Sequence, residues 1–134
     1  MPNHSIHTDQ APKPIGTYSQ AIRAGNTIYL SGQVGFDPVT MEIVAGLENQ
    51  LRQIFKNIGA VVSAAGATLD QIVKITVFLT DMNDFPKVNE VMAEFFLMPY
   101  PARSAVGVKE LPKQAMVEVE GIVCLPLPVH GNGC

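Results

Sequence analysis

Apolar residues recur every three or four positions between residues 46 and 65, and this is the period of an amphipathic α-helix. Leu51, Ile54 and Ile58 mark its apolar face, while polar residues occupy the other faces. Gly66 follows directly and is typical of a helix C-terminal cap. The spacing therefore predicts a first helix over 46–65.

A second helix is predicted after Asp81. Asn83 or Asp84 can cap it, and Pro86 suits its first turn. Its expected inner stripe consists of Phe85, Val88, Met92 and Phe95. Two prolines in the stretch 98–101 cannot continue a helix, so the helix is expected to end before Met98.

Stretches rich in β-branched and apolar residues, separated by Gly and Pro, predict the strands. Gly25-Asn26 is a tight-turn signal, so the strands on either side of it should form a hairpin. The five predicted strands are 18–23, 27–31, 72–79, 104–108 and 116–125. The order β-β-α-β-α-β-β indicates an α+β domain with a single sheet and two helices on one face.

The strand at 72–79 is apolar at both parities, which indicates that both faces of the sheet are covered. Two helices can cover only one face, and the chain has no material for a third layer. The sequence therefore predicts that the open face packs against other subunits. The alternative is a sharply curled sheet that covers itself.

The length of 134 residues allows one domain, with residues 1–15 as an extended N-terminal arm and residues 126–134 as a C-terminal tail. At 47% hydrophobic residues the chain is too apolar to be disordered. Its net charge is −3 and its cations are scattered, which argues against nucleic acid as the main partner. No stretch is long and apolar enough for a membrane span, and the polar N-terminus is unlike a signal peptide. The expected location is the cytosol.

The two cysteines, Cys124 and Cys134, lack the spacing of a metal or redox motif, so free thiols are predicted for both. The three histidines lie near the chain ends in sequence rich in Pro, Gly and Asn. A structural metal site is therefore not expected.

Two charged positions are candidates for chemistry. Alternation along the last strand puts Glu118 and Glu120 on one face, where they are either a solvated surface or a general base held in a cleft. Arg103 begins a strand after Pro101 and can grip a carboxylate or phosphate with two parallel hydrogen bonds. The alternative for Arg103 is an exposed charge at a strand end.

Four further positions are weaker candidates. Ser31 precedes Gly32, where the main chain can approach a ligand closely. Tyr18 supplies a phenol near the same strands, and Asn89 lies on the second predicted helix. Taken one at a time, a turn serine, a packed tyrosine and an exposed asparagine explain these residues equally well. No dinucleotide, P-loop, zinc-protease or serine-hydrolase motif is present.

Taken together, these stretches resemble the RidA family of enamine/imine deaminases, also called the YjgF family. The likeness runs from about residue 11 to residue 124. It rests on Gly16-Thr17-Tyr18-Ser19-Gln20-Ala21, Tyr29-Leu30-Ser31-Gly32-Gln33, Ala64-Ala65-Gly66 with Ile72-Val73-Lys74, Asp81-Met82-Asn83-Asp84-Phe85 with Val88-Asn89, and Pro101-Ala102-Arg103-Ser104 with Val117-Glu118-Val119-Glu120.

The resemblance implies a chorismate-mutase-like α+β fold and a homotrimer with a central barrel and three clefts between subunits. It implies cofactor-free hydrolysis of 2-imino acids, which arise from 2-aminoacrylate and related enamines, to 2-oxo acids and ammonia. Arg103 then grips the substrate carboxylate and Glu118 activates water. A carboxylate base of this kind is worth typically ~10²–10⁴-fold in rate.

The resemblance also implies roles for the weaker candidates. Tyr18 and Ser31 supply hydroxyls to the cleft, Gly32 a backbone contact, and Asn89 matches a position of the family motif with a less defined role. Glu120, the second glutamate of the motif, is expected to be structural. Ala105 is also expected at the cleft, although many members have a cysteine there, so thiol-based regulation is not expected at that position. The segment 96–100 looks shorter than in typical members, which bears on substrate range.

Two other functions remain open. A trimer could bind 2-oxo acids, or regulate a partner, without turnover; retention of Glu118 beside Arg103 favours the enzyme, because a binder needs only the arginine. RNA cleavage or translation inhibition, activities attributed to some members, is disfavoured by the acidic charge and the absence of a basic patch.

Overall fold

The structure is a computed structural model, and it describes residues 3–126. Within these residues, six strands form one mixed sheet with the order β1-β2-β3-β6-β4-β5. Two α-helices of the same range, α1 and α2, complete the α+β fold. The bounds are β1 His4–Ile6, β2 Ala21–Ala24, β3 Thr27–Gln33, α1 Leu47–Ala64, β4 Ile72–Leu79, α2 Phe85–Phe95, β5 Ala102–Gly107 and β6 Val117–Cys124.

The hydrophobic core lies between the helices and one face of the sheet. Alternate residues of β4, namely Ile75, Val77 and Leu79, are fully buried there. Val117 and Val119 of β6 are buried on the same face, since residues that pair across strands point to the same side. The apolar stripes of α1 and α2 join these residues in a single cluster. Both helices therefore cover one face, as the sequence predicts.

Local signals predict the element ends well. The predicted hairpin is present, with Gly25 at a φ of +64° in the turn between β2 and β3. Gly66 follows α1 at a φ of +78°, the left-handed conformation expected of a C-terminal cap. Asp84 stands at the N-terminal boundary of α2 but its side chain makes no capping bond; Asp81 instead accepts from the Asn83 amide in the preceding 3₁₀ turn.

Two differences from the sequence predictions affect the N-terminal half. His4–Ile6 of the predicted arm forms β1, which pairs antiparallel with β2. The strand predicted to start at Tyr18 begins only at Ala21. Just before it, Ser31 of β3 binds the Ser19 carbonyl through its hydroxyl and the Gln20 carbonyl through its amide. Apart from Pro126, the predicted C-terminal tail lies outside the described residues.

The free-thiol prediction is wrong for Cys124, which is disulfide-bonded. Spacing along a chain does not reveal which sulfur atoms folding brings together. Cys134, for which the same prediction was made, lies outside the described residues.

The second face of the sheet carries a mixture of polar and apolar side chains. On β4 these are Lys74, Thr76 and Phe78, all half-buried in the single chain. Tyr29 and Val106 add exposed apolar surface on the neighbouring strands. The apolar character that the sequence predicts for this face is thus only partial. None of the helices in the described part of the chain has the length and apolarity that a membrane crossing requires.

Candidate active site

Arg103 is held in one orientation by three side chains of α2. Its Nη1 donates a hydrogen bond of 2.6 Å to Asn89 Oδ1 and lies 3.4 Å from Met92 Sδ. The guanidinium carbon stands 4.8 Å from the centre of the Phe85 ring, a cation–π distance. The other N–H groups of the guanidinium have no partner among the described residues. They are free to bind an anion.

The three residues around Arg103 come from one helix face. Phe85, Asn89 and Met92 follow each other at i, i+4 and i+7, a spacing that aligns side chains on a helix. Sequence reasoning names Asn89 as a site candidate but assigns Phe85 and Met92 only to the core. The sequence signal that could have identified Phe85 and Met92 is their spacing, which puts them on the same helix face as Asn89.

A cavity of about 410 Å³ opens beside Arg103. This volume suits a small organic ligand. Its lining is mostly apolar around one guanidinium, so it offers a ligand one charged anchor. The lining residues are Asn89, Met92, Ala93, Tyr100, Pro101 and Arg103.

Glu118 lies in a second, smaller cavity of about 60 Å³. Burial raises the pKa of its carboxyl above the ordinary range, and the nearby Glu120 carboxylate raises it further. Glu120 itself is exposed. The structure thus separates the two glutamates that alternation places on one face: Glu118 is the shielded one, with the environment expected of a general base.

A bulge in β3 brings the main chain against Glu118. Leu30 pairs with Gly121 and Gln33 pairs with Val119, so β3 has one more residue than β6 between these pairs. Gly32 lies in the bulge, and a Cβ atom built on it would stand 2.3 Å from Glu118 Oε2. Only a glycine leaves room for the carboxylate in this position.

The remaining candidates are distributed around these two centres. Tyr18 and Gly32 line the small cavity with Glu118. The Ser31 hydroxyl donates a hydrogen bond of 2.5 Å to the Ser19 carbonyl. Ala105 lies two residues after Arg103 and packs against the core, outside both cavities.

Several residues of the small cavity were not anticipated from the sequence. They lie in the N-terminal arm, just before β2, at the end of β3 and in the connections after β3 and β5, and no local pattern links them to Glu118. They are Pro12, Lys13, Ile15, Gln20, Gln33, Val34, Phe36 and Pro112.

The two centres lie on opposite faces of the same sheet. Arg103 pairs with Ile75 of β4, and Glu118 pairs with Phe78. Positions three apart on a strand point to opposite faces, so Arg103 faces the helices and Glu118 faces away from them. Within one chain, the two residues cannot reach the same small ligand.

Among residues 3–126 no group of three His, Cys, Asp or Glu side chains is arranged to hold a metal ion. The candidate residues supply an oriented cation at Arg103, a shielded carboxyl at Glu118 and the hydroxyl groups of Tyr18 and Ser31.

Comparison with known proteins gives a consistent family. A family model described as Endoribonuclease L-PSP matches residues 8–125. The chain is 52% identical to a 2-iminobutanoate/2-iminopropanoate deaminase of Dermatophagoides farinae, over 92% of this chain and 98% of that protein. It is 46% identical to a protein of the same name from Mus musculus, over 87% of each.

A solved structure agrees with these sequence matches. RidA from the Antarctic bacterium Psychrobacter sp. PAMC 21119 superposes with a TM-score of 0.88 at 52% identity, over 90% of this chain and 98% of that one. With a family model covering most of the chain and relatives of this similarity, the chain belongs to the RidA, or YjgF, family.

Proposed function

We propose that this protein is an enzyme that hydrolyses 2-imino acids to 2-oxo acids and ammonia. The observation that carries the proposal is the oriented Arg103 guanidinium beside a cavity of about 410 Å³. A forked cation of this kind suits the carboxylate that every 2-imino acid bears next to its C=N carbon. The deaminase names of the relatives from mite and mouse support the same reaction.

We further propose that each active site forms between two subunits of a homotrimer. Arg103 and Glu118 point to opposite faces of one sheet, so a cleft that contains both needs Arg103 from one subunit and Glu118 from its neighbour. A cyclic arrangement of three copies provides three such clefts. It would bury the second sheet face in a central barrel, in a chorismate-mutase-like assembly.

The reaction balances with the residues of the chain alone. Arg103 holds the substrate carboxylate, which fixes the imine carbon for attack. Glu118 accepts a proton as the water oxygen bonds to that carbon, and the C=N π electrons move to nitrogen. Glu118 returns this proton to the nitrogen, which leaves a tetrahedral intermediate that carries an OH and an NH₂ group. Glu118 then takes the hydroxyl proton and passes it to the nitrogen, so that the C–N bond breaks as the carbonyl forms and the 2-oxo acid and ammonia are released.

The tyrosine and serine hydroxyls have assigned places in this scheme. The Tyr18 hydroxyl lines the Glu118 cavity and is suited to hydrogen-bond the nitrogen. The Ser31 hydroxyl is already donated to the Ser19 carbonyl, so only its lone pairs remain for a ligand. Gly32 brings the main chain to the same point.

Two alternative functions make different predictions. A non-catalytic 2-oxo-acid binder needs Arg103 but gains nothing from a shielded carboxyl with a raised pKa, as Glu118 has. The family description mentions ribonuclease activity, yet the net charge of −3 and the scattered cations do not favour a polyanionic substrate.

A cytosolic location stays a prediction.

A coupled assay tests the proposed reaction. A PLP-dependent dehydratase generates the imine, and release of the 2-oxo acid is followed with and without this protein. Arg103→Ala should abolish turnover and 2-oxobutyrate binding, and Arg103→Lys should restore little. Glu118→Gln should keep binding in calorimetry but lower turnover by about 10²-fold or more. Wild-type turnover in Glu118→Gln would remove Glu118 from the mechanism.

Mixing the two inactive variants tests the shared cleft. Arg103→Ala and Glu118→Gln chains are co-refolded in equal amounts, so that random cyclic assembly gives both intact groups to about one site in four. Activity should recover to about a quarter of the wild-type value. Arg103→Ala chains co-refolded with an Arg103→Ala/Glu118→Gln double variant are the control and should stay inactive. No recovery in the first mixture would place the whole site in one subunit.

A further inference from the structure

Gln20 is a buried polar side chain that the proposed reaction does not use. Only 2% of it is exposed, and it lies just before β2. Its Oε1 accepts a hydrogen bond of 2.8 Å from the Thr8 amide, and its Nε2 donates to the carbonyls of Thr8 and Pro12 at 3.0 and 2.9 Å. A third, longer contact of 3.4 Å reaches the Ala11 carbonyl. One amide thus ties down the arm from residue 8 to residue 12.

The segment anchored in this way forms a wall of the Glu118 cavity. Pro12, Lys13 and Ile15 line that cavity together with Tyr18. The Ile15 amide donates to the Tyr18 hydroxyl at 3.2 Å, so the arm also orients the phenol. The hydrogen bonds from Gln20 act together with the burial of Ala11 in the core to hold the stretch 8–12 against the sheet.

Gln20 is also connected to the opposite wall of the cavity. Its main-chain carbonyl accepts a hydrogen bond of 3.0 Å from the Ser31 amide. Ser31 and Gly32 form the bulge of β3, and Gly32 is the residue against which the Glu118 carboxylate lies. The side chain of Gln20 therefore holds one wall and its backbone supports the other.

We propose that Gln20 is a positioning residue for Glu118, clamping the N-terminal arm over the cavity so that the carboxyl is kept apart from bulk water. This inference rests on the proposed function for its effect on turnover. Its effect on the environment of Glu118 does not depend on that function. Gln20 lines the Glu118 cavity, but its side-chain amide is already bonded to the arm, so it acts through the arm and not on the substrate.

The pKa of Glu118 depends on its burial and on the charged and titratable groups around it, and release of the arm would change the burial. Glu120 lies on the same strand, Lys13 comes from the arm, Tyr18 lies between the arm and β2, and the facing residues Gly32 and Phe78 carry no charge. Burial is the larger cause of the raised pKa of Glu118, ahead of Glu120. Release of the arm from the cavity admits water and should lower the pKa of Glu118, while the increase in this pKa that Glu120 causes stays.

The experiment compares Gln20→Ala and Gln20→Met with the wild-type protein. Gln20→Met is the milder change, since it keeps most of the side-chain volume and removes the hydrogen bonds to the arm without adding a charge near Glu118. The pKa of the Glu118 carboxyl is measured by a ¹³C NMR titration, in which the Glu118 signal is identified by its absence from the spectrum of Glu118→Gln. The pH dependence of kcat is measured alongside. In both variants the pKa of Glu118 should fall toward its ordinary value, and the acid limb of the kcat profile should move to lower pH. The kcat plateau should fall about tenfold with KM within about twofold, because Arg103 still holds the carboxylate.

Val61→Ala is the matched control, because it truncates a buried core residue of α1 that does not line the Glu118 cavity. It should lower stability without moving the Glu118 titration. An unchanged pKa of Glu118 in variants whose Thr8 amide exchanges rapidly would overturn the proposal, as would an equal shift in Val61→Ala. If the wild-type protein shows no deaminase activity, the proposed function fails while the NMR titration still decides the role of Gln20.

Discussion

At the scale of single residues, the contact between Gly32 and Glu118 is the tightest feature of the site. A methyl group at position 32 would overlap the Glu118 carboxylate, with its carbon 2.3 Å from Oε2. The carboxylate would have to move away from its observed position. We expect Gly32→Ala to lower kcat by about 10²-fold, as misplacement of a reacting group by an ångström can.

A matched glycine substitution separates this effect from a general one. Gly59 lies within α1 and nothing stands within 4 Å of a Cβ built on it. Gly59→Ala should keep full activity and stabilise the protein by about 0.5–1 kcal/mol. Near wild-type kcat for Gly32→Ala would show that the observed carboxylate position is not the active one.

The raised pKa of Glu118 also predicts a stability cost. The folded protein holds this proton to higher pH than the unfolded chain does, so stability falls as pH rises from the ordinary glutamate pKa through the raised one. At pH values above the raised pKa, the loss of stability is constant. Glu118→Gln removes it and should raise Tm by a few degrees at about pH 8 but not at about pH 4. An equal Tm of the two proteins at both pH values would contradict the assigned environment.

At the scale of elements, an ion-pair network joins α1 to α2. Arg52 of α1 contacts Glu48 on its own helix and binds Glu94 of α2 through two bonds of 3.1 and 2.7 Å. Lys87 of α2 adds contacts of 3.2 Å to Glu48 and 3.3 Å to Glu90. The network fixes α2, which carries the three side chains around Arg103.

Acid should weaken this network. Hydrogen bonds from Arg52 hold the pKa of Glu48 and of Glu94 below the ordinary value. Their contribution to stability is therefore present above the ordinary glutamate pKa and is lost as pH falls through the lowered ones. Arg52→Met should lower Tm slightly at neutral pH, with the difference vanishing in acid and shrinking in about 1 M salt, because the groups are exposed.

Lys56→Met provides the comparison for Arg52→Met. Lys56 is exposed on the same helix and forms no ion pair with any residue from 3 to 126. Its substitution should leave both the acid dependence and the salt dependence of Tm unchanged. A salt-independent loss of stability in Arg52→Met would indicate that its aliphatic stem, rather than its charge, matters.

At the scale of the whole molecule, the proposed trimer follows from the two faces of the sheet. The single chain leaves Tyr29 and Val106 exposed beside the Glu118 face, and a shared cleft would cover this surface. Light scattering should give about three times 14.4 kDa. Dilution should not yield a stable folded monomer. A monodisperse folded monomer at micromolar concentration would contradict both the assembly and the shared cleft.

The sequence by itself determined the elements whose signals are local. The helix predicted over 46–65 is α1 at Leu47–Ala64, and the strand predicted over 72–79 is β4 with the same bounds. Hydrophobic period and glycine conformation depend on residues a few positions apart, so they can be read along the chain. The alternation of β6 likewise placed Glu118 and Glu120 on the same face.

Only the tertiary structure decided how distant residues combine. Arg103 pairs with Ile75 and Glu118 pairs with Phe78, and this register sets the two groups on opposite faces of the sheet. No local sequence pattern indicates this pairing. The same is true of the anchoring of the arm by Gln20. Both depend on strand register and on hydrogen bonds across the fold, which periodicity does not encode. The sequence therefore identified the residue types and their motif, while long-range pairing divided them between two half-sites.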